Sequence, residues 1–236
     1  MIRGLIESSL IDWDGKISMV IFFDKCNFRC SFCHNWKLIS QSENFPVIEW
    51  ARIHSILQEK RKWIDGVVLT GGEPLVNFQE TAELCSKIKP EGFLIKLDTN
   101  GTFPESLRAL IDQKLIDYVA MDIKAPLDDR YNTATRVKAD IASIKSSIQL
   151  IMHSYIQYEF RTTCVPDIID ENAIHAIGNT IKGAQKWALQ GYRPENAWAE
   201  EFRQPLLTGY HQNVKKLHSI AKKYVENSIL RGVTAS

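Results

Sequence analysis

Six strand-like runs alternate with helical patterns along the 236 residues of this chain. The runs are short and mostly rich in β-branched or aromatic residues, as strands usually are. They are Lys16–Phe23, Gly66–Thr70, Phe93–Leu97, Tyr118–Asp122, Gln157–Thr163 and Gln185–Gln190. Such alternation is typical of βαβ units and a parallel sheet. A closed eight-unit barrel needs about 250 residues, so six units predict an open, partial (β/α)6 TIM-like barrel of the α/β class. A doubly wound sheet is the alternative.

Apolar residues at helical spacing mark four of the helices between these strands. The four groups are Ile48, Ile53, Ile56 and Leu57; Leu107, Leu110, Ile111 and Leu115; Ile141, Ile144, Ile148 and Ile151; and Val214, Leu217, Ile220, Ala221 and Val225. No obvious linker interrupts the pattern, so we predict a single domain over residues 1–236. Its core is expected over residues 16–194, with a C-terminal helical extension over 205–230.

The charge balance argues against some classes of partner. Twenty-nine basic and 28 acidic residues give a net charge of +1, which does not indicate a nucleic-acid or membrane surface. The longest apolar run, from Ile17 to Phe23, is too short to span a bilayer, and acidic residues in the N-terminal region argue against a secretory signal. The five cysteines are odd in number and three are clustered, which favours a reducing compartment over a disulfide framework. We therefore expect a cytoplasmic protein.

Three cysteines lie within eight residues near the start of the chain, in the pattern Cys26-x3-Cys30-x2-Cys33. A structural zinc or a typical [4Fe–4S] cluster takes four protein ligands. Three thiolates on a four-iron cluster leave one iron open to a substrate or cofactor. A structural zinc with His34 as fourth ligand is the alternative, although Cys33 and His34 are adjacent, which makes joint tetrahedral ligation awkward. A ferredoxin-like electron carrier is less favoured, because its clusters usually need four cysteines.

Small or polar residues occur where the strand runs end. They are Gly71-Gly72-Glu73-Pro74, Asp98-Thr99-Asn100-Gly101, Asp122-Ile123-Lys124, and the strand residues Glu159, Arg161 and Thr163. Both candidate folds place chemistry at the C-terminal ends of the strands. Strand alternation also puts Lys96 and Asp98 on one face. These polar faces predict a solvated cavity that holds a charged ligand, and the solvent side of an ordinary sheet is the alternative.

These motifs resemble those of a known superfamily. Cys26-x3-Cys30-x-Phe32-Cys33 resembles the signature of radical S-adenosylmethionine enzymes, and Gly71-Gly72-Glu73-Pro74 resembles their second motif. Three further segments resemble glycyl-radical-enzyme activating proteins: Cys33-His34-Asn35, Asp98-Thr99-Asn100-Gly101 and Met121-Asp122-Ile123-Lys124. Ser9 to Lys16 and Glu159 to Thr163 are most similar to the branch that activates anaerobic ribonucleoside-triphosphate reductase. Trp13-Asp14 and Ser31 depart from that pattern, where a Tyr-Pro pair and a proline are common.

The resemblance implies a set of cofactor-binding residues. Cys26, Cys30 and Cys33 would hold one [4Fe–4S] cluster, whose fourth iron chelates S-adenosylmethionine. The other implied contacts are Phe32 and His34 at the adenine, Gly71, Gly72 and Glu73 at the ammonium group, and Asp98, Thr99 and Asp122 at a monovalent cation. Lys124 would add positive charge near the same ligand. Arg161 and Gln190 are further candidates for the cofactor site.

The resemblance also implies a reaction. Reductive cleavage of S-adenosylmethionine would give a 5′-deoxyadenosyl radical, which takes a hydrogen atom from a glycine of a partner anaerobic ribonucleotide reductase. A flavodoxin or ferredoxin would supply the electron, and no catalytic side chain beyond the cluster ligands is expected. The alternatives are a radical enzyme acting on a small molecule, or one that activates another glycyl radical enzyme.

Overall fold

The structure is a computed structural model that describes residues 1–233. Its strands are β1 (Ile2–Ser9), β2 (Ser18–Phe23), β3 (Gly66–Gly71), β4 (Leu94–Thr99), β5 (Tyr118–Asp122), β6 (Gln157–Cys164), β7 (Trp187–Gly191) and β8 (Ser228–Arg231). Its α-helices are α1 (Trp36–Ser40), α2 (Trp50–Glu59), α3 (Phe78–Ile88), α4 (Pro104–Asp112), α5 (Asp129–Thr135), α6 (Ile141–His153), α7 (Glu171–Thr180) and α8 (Tyr210–Ala221). None of these helices is both long and apolar enough to cross a membrane.

The strands form one eight-stranded sheet in the order of the chain, from β1 to β8. β1 pairs antiparallel with β2, which in turn pairs parallel with β3 in the register Ser18 to Gly66 and Phe23 to Gly71. The pairs β3–β4, β6–β7 and β7–β8 are also parallel. The order is linear and β1 and β8 are its two ends, so the sheet is open rather than closed on itself.

All six predicted strands are present as β2 to β7, with ends that differ by at most two residues. The four predicted helices are also present, as α2, α4, α6 and α8. The two outer strands were not predicted. β1 contains Gly4 and two irregularities in its register with β2, and β8 has only four residues. The extension predicted as helical over 205–230 is helical only in α8, because residues 228–231 form β8 beside β7.

Local sequence signals explain where several helices begin. Asp140 caps α6 by accepting a hydrogen bond from the Ser143 amide, and Asp170 caps α7 in the same way through Ala173. Such side chains satisfy amides that have no partner inside the helix. Pro104 occupies the first turn of α4, where its missing N–H costs nothing.

Contacts within the chain group its residues into two compact units. The first comprises Met1–Asn27, Asn35–Thr99 and Phe103–Val119, and the second comprises Phe28–His34, Asn100–Thr102 and the chain from Ala120 onward. The boundary therefore passes through the cysteine segment and through β5. The single domain over 1–236 and its core over 16–194 stay predictions, and residues 234–236 lie outside the described part.

Each unit has its own buried core. In the first, Trp13 packs with Val20 and Val68 and lies against the ring of Tyr118, with centroids 5.7 Å apart. In the second, Trp187 is fully buried and donates a hydrogen bond from its ring nitrogen to the Thr162 hydroxyl. A buried indole N–H needs such a partner. The buried aromatic side chains of each unit are thus packed within that unit.

Candidate active site at the strand ends

The Gly71-Gly72-Glu73 loop of the first unit packs on the backbone that leads to Cys26. The Gly72 amide donates to the Phe23 carbonyl at 2.8 Å, and the Glu73 amide donates to the Lys25 carbonyl at 2.6 Å. A Cβ atom on Gly72 would lie 2.0 Å from that Lys25 oxygen, and Gly71 has a φ of +111°. Glycine is therefore needed at both positions. The second predicted motif fixes the segment that carries the first cysteine, and its contact with a ligand stays a prediction.

Glu73 joins the ends of two neighbouring strands. Its side chain is 1% exposed and accepts hydrogen bonds from the Leu75 amide at 3.1 Å and from the Thr99 hydroxyl at 3.0 Å. Charge-assisted bonds of this kind offset the cost of burying a carboxylate. Thr99 was predicted as part of a cation site, and the structure shows that its hydroxyl hydrogen is directed at Glu73. Glu73 and Thr99 are brought together at the ends of β3 and β4.

The prediction of a solvated polar face is wrong at Lys96. This side chain is 1% exposed; its ammonium donates to the Asp12 carbonyl and lies 3.4 Å from Asp98 Oδ1. The ammonium also lies over the Tyr118 ring, an attraction that favours a buried cation. Lys96 therefore ties β4 to the hairpin between β1 and β2. Asp98, predicted at a cation site, is buried beside Lys96.

In the second unit, Cys30 and Cys33 lie on one turn, which the Cys33 amide closes by donating to the Cys30 carbonyl at 3.1 Å. Cys30 is buried and Cys33 is half-buried. The chain just after β7 covers this turn: the Ala199 amide donates to the Ser31 carbonyl at 2.8 Å. We call residues 192–203 the strap. Its contacts with the cysteine turn were not predicted, because they join segments 160 residues apart and follow no local pattern.

His34 is engaged by the strap. Its Nε2 lies 2.6 Å from the Arg193 carbonyl, and its ring stacks on Tyr192 with centroids 6.1 Å apart. A ring nitrogen that donates to a carbonyl does not coordinate a metal through that atom. Within residues 1–233, no three His, Cys, Asp or Glu side chains are arranged to hold a single metal ion. The geometry therefore does not favour the structural-zinc alternative, since cluster cysteines bind separate irons and need not meet at one point.

Asp122, at the end of β5, is bridged by two cations. Arg161 Nε lies 2.7 Å from Oδ1, and Lys124 Nζ lies 2.9 Å from Oδ2. Burial favours a raised pKa for this carboxyl, but Arg161 and Lys124 outweigh it and hold the pKa well below its usual range. The predicted residues Asp122, Lys124 and Arg161 are thus brought together. The group carries a net positive charge, because two cations face one carboxylate.

Lys124 also lies in the electrostatic field of Cys30. Burial alone would lower the pKa of Lys124, whereas Asp122 and then the Cys30 thiolate raise it, with a net upward shift. Tyr131, fully buried, accepts a hydrogen bond from the Lys124 amide at 3.5 Å and packs edge-on against Phe28. Burial raises the pKa of Tyr131 above its usual value. Tyr131 was not among the predicted site residues, although its place shortly after the Asp122 motif was a usable signal.

Glu159 forms a second buried ion pair on β6. Its carboxylate is 1% exposed, lies 2.9 Å and 2.7 Å from the two terminal nitrogens of Arg231, and has Lys186 Nζ at 3.7 Å. The polar face predicted for this strand therefore holds a buried bidentate pair at Glu159, and β8 supplies its partner. Arg231 could not be found from the sequence, because β8 itself was not recognised.

The remaining predicted residues occupy separate positions. Phe32 is buried within the cysteine turn. Gln190, near the end of β7, pairs in register with Thr163 and Arg231 and belongs to neither the Asp122 nor the Glu73 group. Cys85 and Cys164, which lie outside the cysteine cluster, are both buried.

The donor set fits an iron–sulfur cluster. None of Cys26, Cys30 and Cys33 forms a disulfide. Thiolates are the ligands that iron–sulfur clusters prefer. Cys30 is shielded from solvent, and Lys124 supplies a cation near it.

The sequence profile of the Radical SAM superfamily matches residues 20–177. The chain is 34% identical over 240 residues to a provisionally named glycyl-radical enzyme activating enzyme of Methanocaldococcus jannaschii, covering 100% of this chain and 98% of that protein. It is 27% identical over 195 residues to the pyruvate formate-lyase-activating enzyme of Clostridium pasteurianum, covering 77% and 78%. The chain is thus a member of the radical SAM superfamily. Within it, the chain belongs to the glycyl-radical enzyme activating enzymes.

Comparison with solved structures agrees on the fold. A radical SAM methyltransferase from Sphaerobacter thermophilus superposes with a TM-score of 0.65 at 16% identity, covering 97% of this chain and 76% of that one. Together with the linear strand order, this likeness confirms the predicted open, partial (β/α)6 barrel. Enzymes of this superfamily use a [4Fe–4S] cluster and S-adenosylmethionine, so the predicted cofactors are confirmed for the family.

Proposed function

We propose that this enzyme activates an anaerobic ribonucleoside-triphosphate reductase by removing a hydrogen atom from a glycine in the backbone of that partner. The observation that carries the proposal is the segment from Glu159 to Thr163. It resembles the corresponding segment of the reductase-activating branch, and its Arg161 pairs with Asp122 at 2.7 Å. The opening segment from Ser9 to Lys16 supports the same branch, with Trp13 buried in the first unit.

The cofactors have a defined place in this proposal. Cys26, Cys30 and Cys33 hold the cluster, and S-adenosylmethionine lies among the candidate residues at the strand ends. When bound, the two groups would supply the radical chemistry of the reaction, with a flavodoxin or ferredoxin as the electron donor to the cluster.

The protein's own residues hold and orient these groups. The Gly72 and Glu73 amides fix the backbone beside Cys26, and the strap fixes the turn between Cys30 and Cys33. Asp122 remains ionised between Lys124 and Arg161, because these two cations lower the pKa of its carboxyl. Their net positive charge suits the carboxylate of S-adenosylmethionine, although Asp122 neutralises part of it. A monovalent cation at Asp98, Thr99 and Asp122 stays a prediction, since both Asp122 oxygens already bind cationic side chains.

A second candidate partner is pyruvate formate-lyase. The relative from Clostridium pasteurianum activates that enzyme by its name and covers most of this chain. A small-molecule substrate is less favoured, because the chain matches a glycyl-radical activating enzyme along its full length.

The native location is expected to be the cytoplasm, where the partner and a low-potential donor occur together.

The test mixes the anaerobically reconstituted, reduced enzyme with S-adenosylmethionine and purified reductase, and in parallel with purified pyruvate formate-lyase. Electron paramagnetic resonance should show a glycine-centred doublet with the reductase, and chromatography should show 5′-deoxyadenosine. A doublet with pyruvate formate-lyase alone would assign the other partner. Cleavage of S-adenosylmethionine without a doublet in either mixture would reject the proposed function while leaving the radical enzyme in place.

A further inference from the structure

The second unit contains a pocket of about 650 Å³ beside the end of β6. This volume falls in the range of about 300–1,000 Å³ that is usual for ligand sites. The pocket is bounded by the loop before α7 and by the start of α8. Its lining includes Asp167, Asp170, Leu207, Tyr210, Val214 and Leu217. We call this surface the acidic groove.

The acidic groove combines an apolar floor with an acidic rim. Val214 and Leu217 are buried beneath it, whereas Leu207 at its mouth is 84% exposed. Its lining contains three carboxylates, and within the described residues 1–233 none of the lining side chains is basic. An exposed apolar side chain beside a concave apolar surface is typical of an interaction site. The groove therefore suits a segment that carries an apolar side chain next to a Lys or Arg.

Asp167 is the carboxylate best placed to meet such a cation. It is exposed, has a φ of +64°, and forms no hydrogen bond or ion pair with the described residues 1–233. Aspartate tolerates this left-handed backbone better than most residues do. The two neighbouring carboxylates already have partners. Asp170 caps α7, and Glu171 lies 2.5 Å from Lys216 Nζ. Asp167 is therefore the lining carboxylate that has no partner among the described residues 1–233.

A chain of contacts within the second unit connects the groove to the cysteine turn. The Tyr210 hydroxyl donates to the Cys164 carbonyl at 2.8 Å and accepts from the Tyr192 amide at 2.6 Å. Tyr192 belongs to the strap and stacks on His34, which follows Cys33. Burial raises the pKa of Tyr210 to about 12, so its hydroxyl keeps the proton that it donates. An occupant of the groove that contacts Tyr210 would therefore lie beside a residue that is hydrogen-bonded to the strap.

We propose that the acidic groove docks a basic, extended segment of the glycyl radical enzyme that this protein activates. The inference rests on the proposed function and adds the surface that the partner recognises. The apolar floor receives an aliphatic or aromatic side chain of that segment, and Asp167 pairs with its Lys or Arg. Burial of one such anchor commonly dominates the affinity of an interface. Docking there brings the partner beside the strap that covers the cysteine turn.

The test uses reconstituted holoenzyme carrying Asp167→Asn or Leu207→Ser. Asparagine keeps the tolerance for positive φ and removes only the charge. The matched controls are Glu226→Gln and Tyr155→Ser, exposed side chains of the same unit outside the groove. Iron content and unfolding midpoint show whether each variant folds. The measured quantity is the reductase concentration that gives half of the maximal glycyl radical signal.

Each groove variant should raise that concentration by about tenfold, with the signal at saturating reductase retained, and the controls should stay within about twofold. Folded groove variants that match the controls, or that lose only the saturating signal, would overturn the docking site. Loss of self-association in Leu207→Ser would assign the groove to a second copy and also overturn it. If the wild type gives no doublet with the reductase, the proposed function fails. The groove variants and controls are then compared with pyruvate formate-lyase as the partner, and the same outcomes test the docking site. No doublet with either protein overturns both proposals.

A photo-cross-linking benzophenone amino acid at position 207 tests the docking site independently in the same mixture. Cross-linking should map to a reductase segment that contains Lys or Arg, and a probe at position 155 should give none. Equal cross-linking from both positions, or none from position 207, would contradict the proposal.

Discussion

The two cysteines outside the cluster motif are buried thiols. Cys85 and Cys164 are buried, and burial raises the pKa of each to about 12, which keeps them protonated and unreactive near neutral pH. Cys26 and Cys33 are half-buried and therefore reachable by iron. Exposure thus agrees with the clustered spacing at Cys26 and Cys33, whereas Cys30 is buried and is assigned as a ligand by its spacing alone.

We expect Cys30→Ala to reduce bound iron to background after reconstitution and to abolish formation of 5′-deoxyadenosine. The reason is that each of the three thiolates binds one iron, so the loss of Cys30 leaves a second iron without a protein ligand. Iron and acid-labile sulfide per chain are the measurements. Cys85→Ala is the matched control and should keep both the iron and the product, with a lower unfolding midpoint from the small cavity. Full iron loading of Cys30→Ala would contradict the ligand assignment.

Asp122 should stabilise the fold in a manner that depends on pH. The pKa of its carboxyl is lower in the folded chain than its ordinary value of 3.8. The stabilisation is therefore complete above the ordinary value and is lost as the pH falls below it toward the folded value. In Asp122→Asn the two cations have no carboxylate between them, and this pH-dependent contribution disappears.

Urea unfolding of the cluster-free chain and of Asp122→Asn between pH 2 and 7 measures this effect. The cluster-free form is needed because acid decomposes iron–sulfur clusters. The difference in unfolding free energy should be constant above about pH 5 and should shrink below pH 4. A difference that grows as the pH falls would show that Asp122 is not held in its ionised form by Arg161 and Lys124.

At the scale of secondary-structure elements, the loop after β3 is fixed by backbone contacts rather than by side chains. Gly72→Ala would place a Cβ atom 2.0 Å from the Lys25 carbonyl oxygen, so the backbone beside Cys26 must move. We expect this variant to lose most of its iron and to unfold at a lower temperature. Gly92→Ala is the control: Gly92 has a φ of +86° and open space around it, so its cost is backbone strain of about 1–2 kcal/mol, with the iron retained.

Elements with strong internal patterns were predictable, and those defined by distant pairing were not. The apolar pattern of α6 and the β-branched run of β3 carry their own signals, so both were found. β1 and β8 lie at the ends of the sheet, and each depends on a neighbouring strand rather than on its own sequence. The role of Arg231, the contacts of the strap and the acidic groove could not be predicted for the same physical reason. Each depends on contacts between residues that are far apart in the chain.

Residue polarity alone also misassigned some of the predicted site. Lys96 and Glu159 were predicted to line a solvated cavity, yet both side chains are 1% exposed. Each is buried with a partner from another strand or loop, Asp12 for Lys96 and Arg231 for Glu159. In contrast, Asp122 and Lys124 were predicted together because they are two residues apart on the same strand end, and they do form an ion pair.

At the scale of the whole molecule, several candidate residues lie at the carboxyl ends of their strands. Gly71, Thr99, Asp122 and Gln190 all occupy the last or next-to-last position of their strands. Parallel strands present those ends in the same direction, which is why a fold of this class gathers its site there. The opposite ends hold ordinary connections, such as the Asp65 amide donating to the Ile17 carbonyl at 2.7 Å.

Ligand binding should stabilise the native chain, because the predicted cofactor-binding residues are far apart in the sequence and the unfolded chain would not bring them together. S-adenosylmethionine at 100 times its dissociation constant is expected to add about 2.7 kcal/mol. In a chain of this size that corresponds to a rise in Tm of about 5–11 °C. Differential scanning fluorimetry under anaerobic conditions measures it on reconstituted enzyme, with Cys85→Ala as the matched control. Cys30→Ala should show no rise, since the iron that binds the cofactor is absent. An equal rise in Cys30→Ala would show that S-adenosylmethionine binds independently of the cluster.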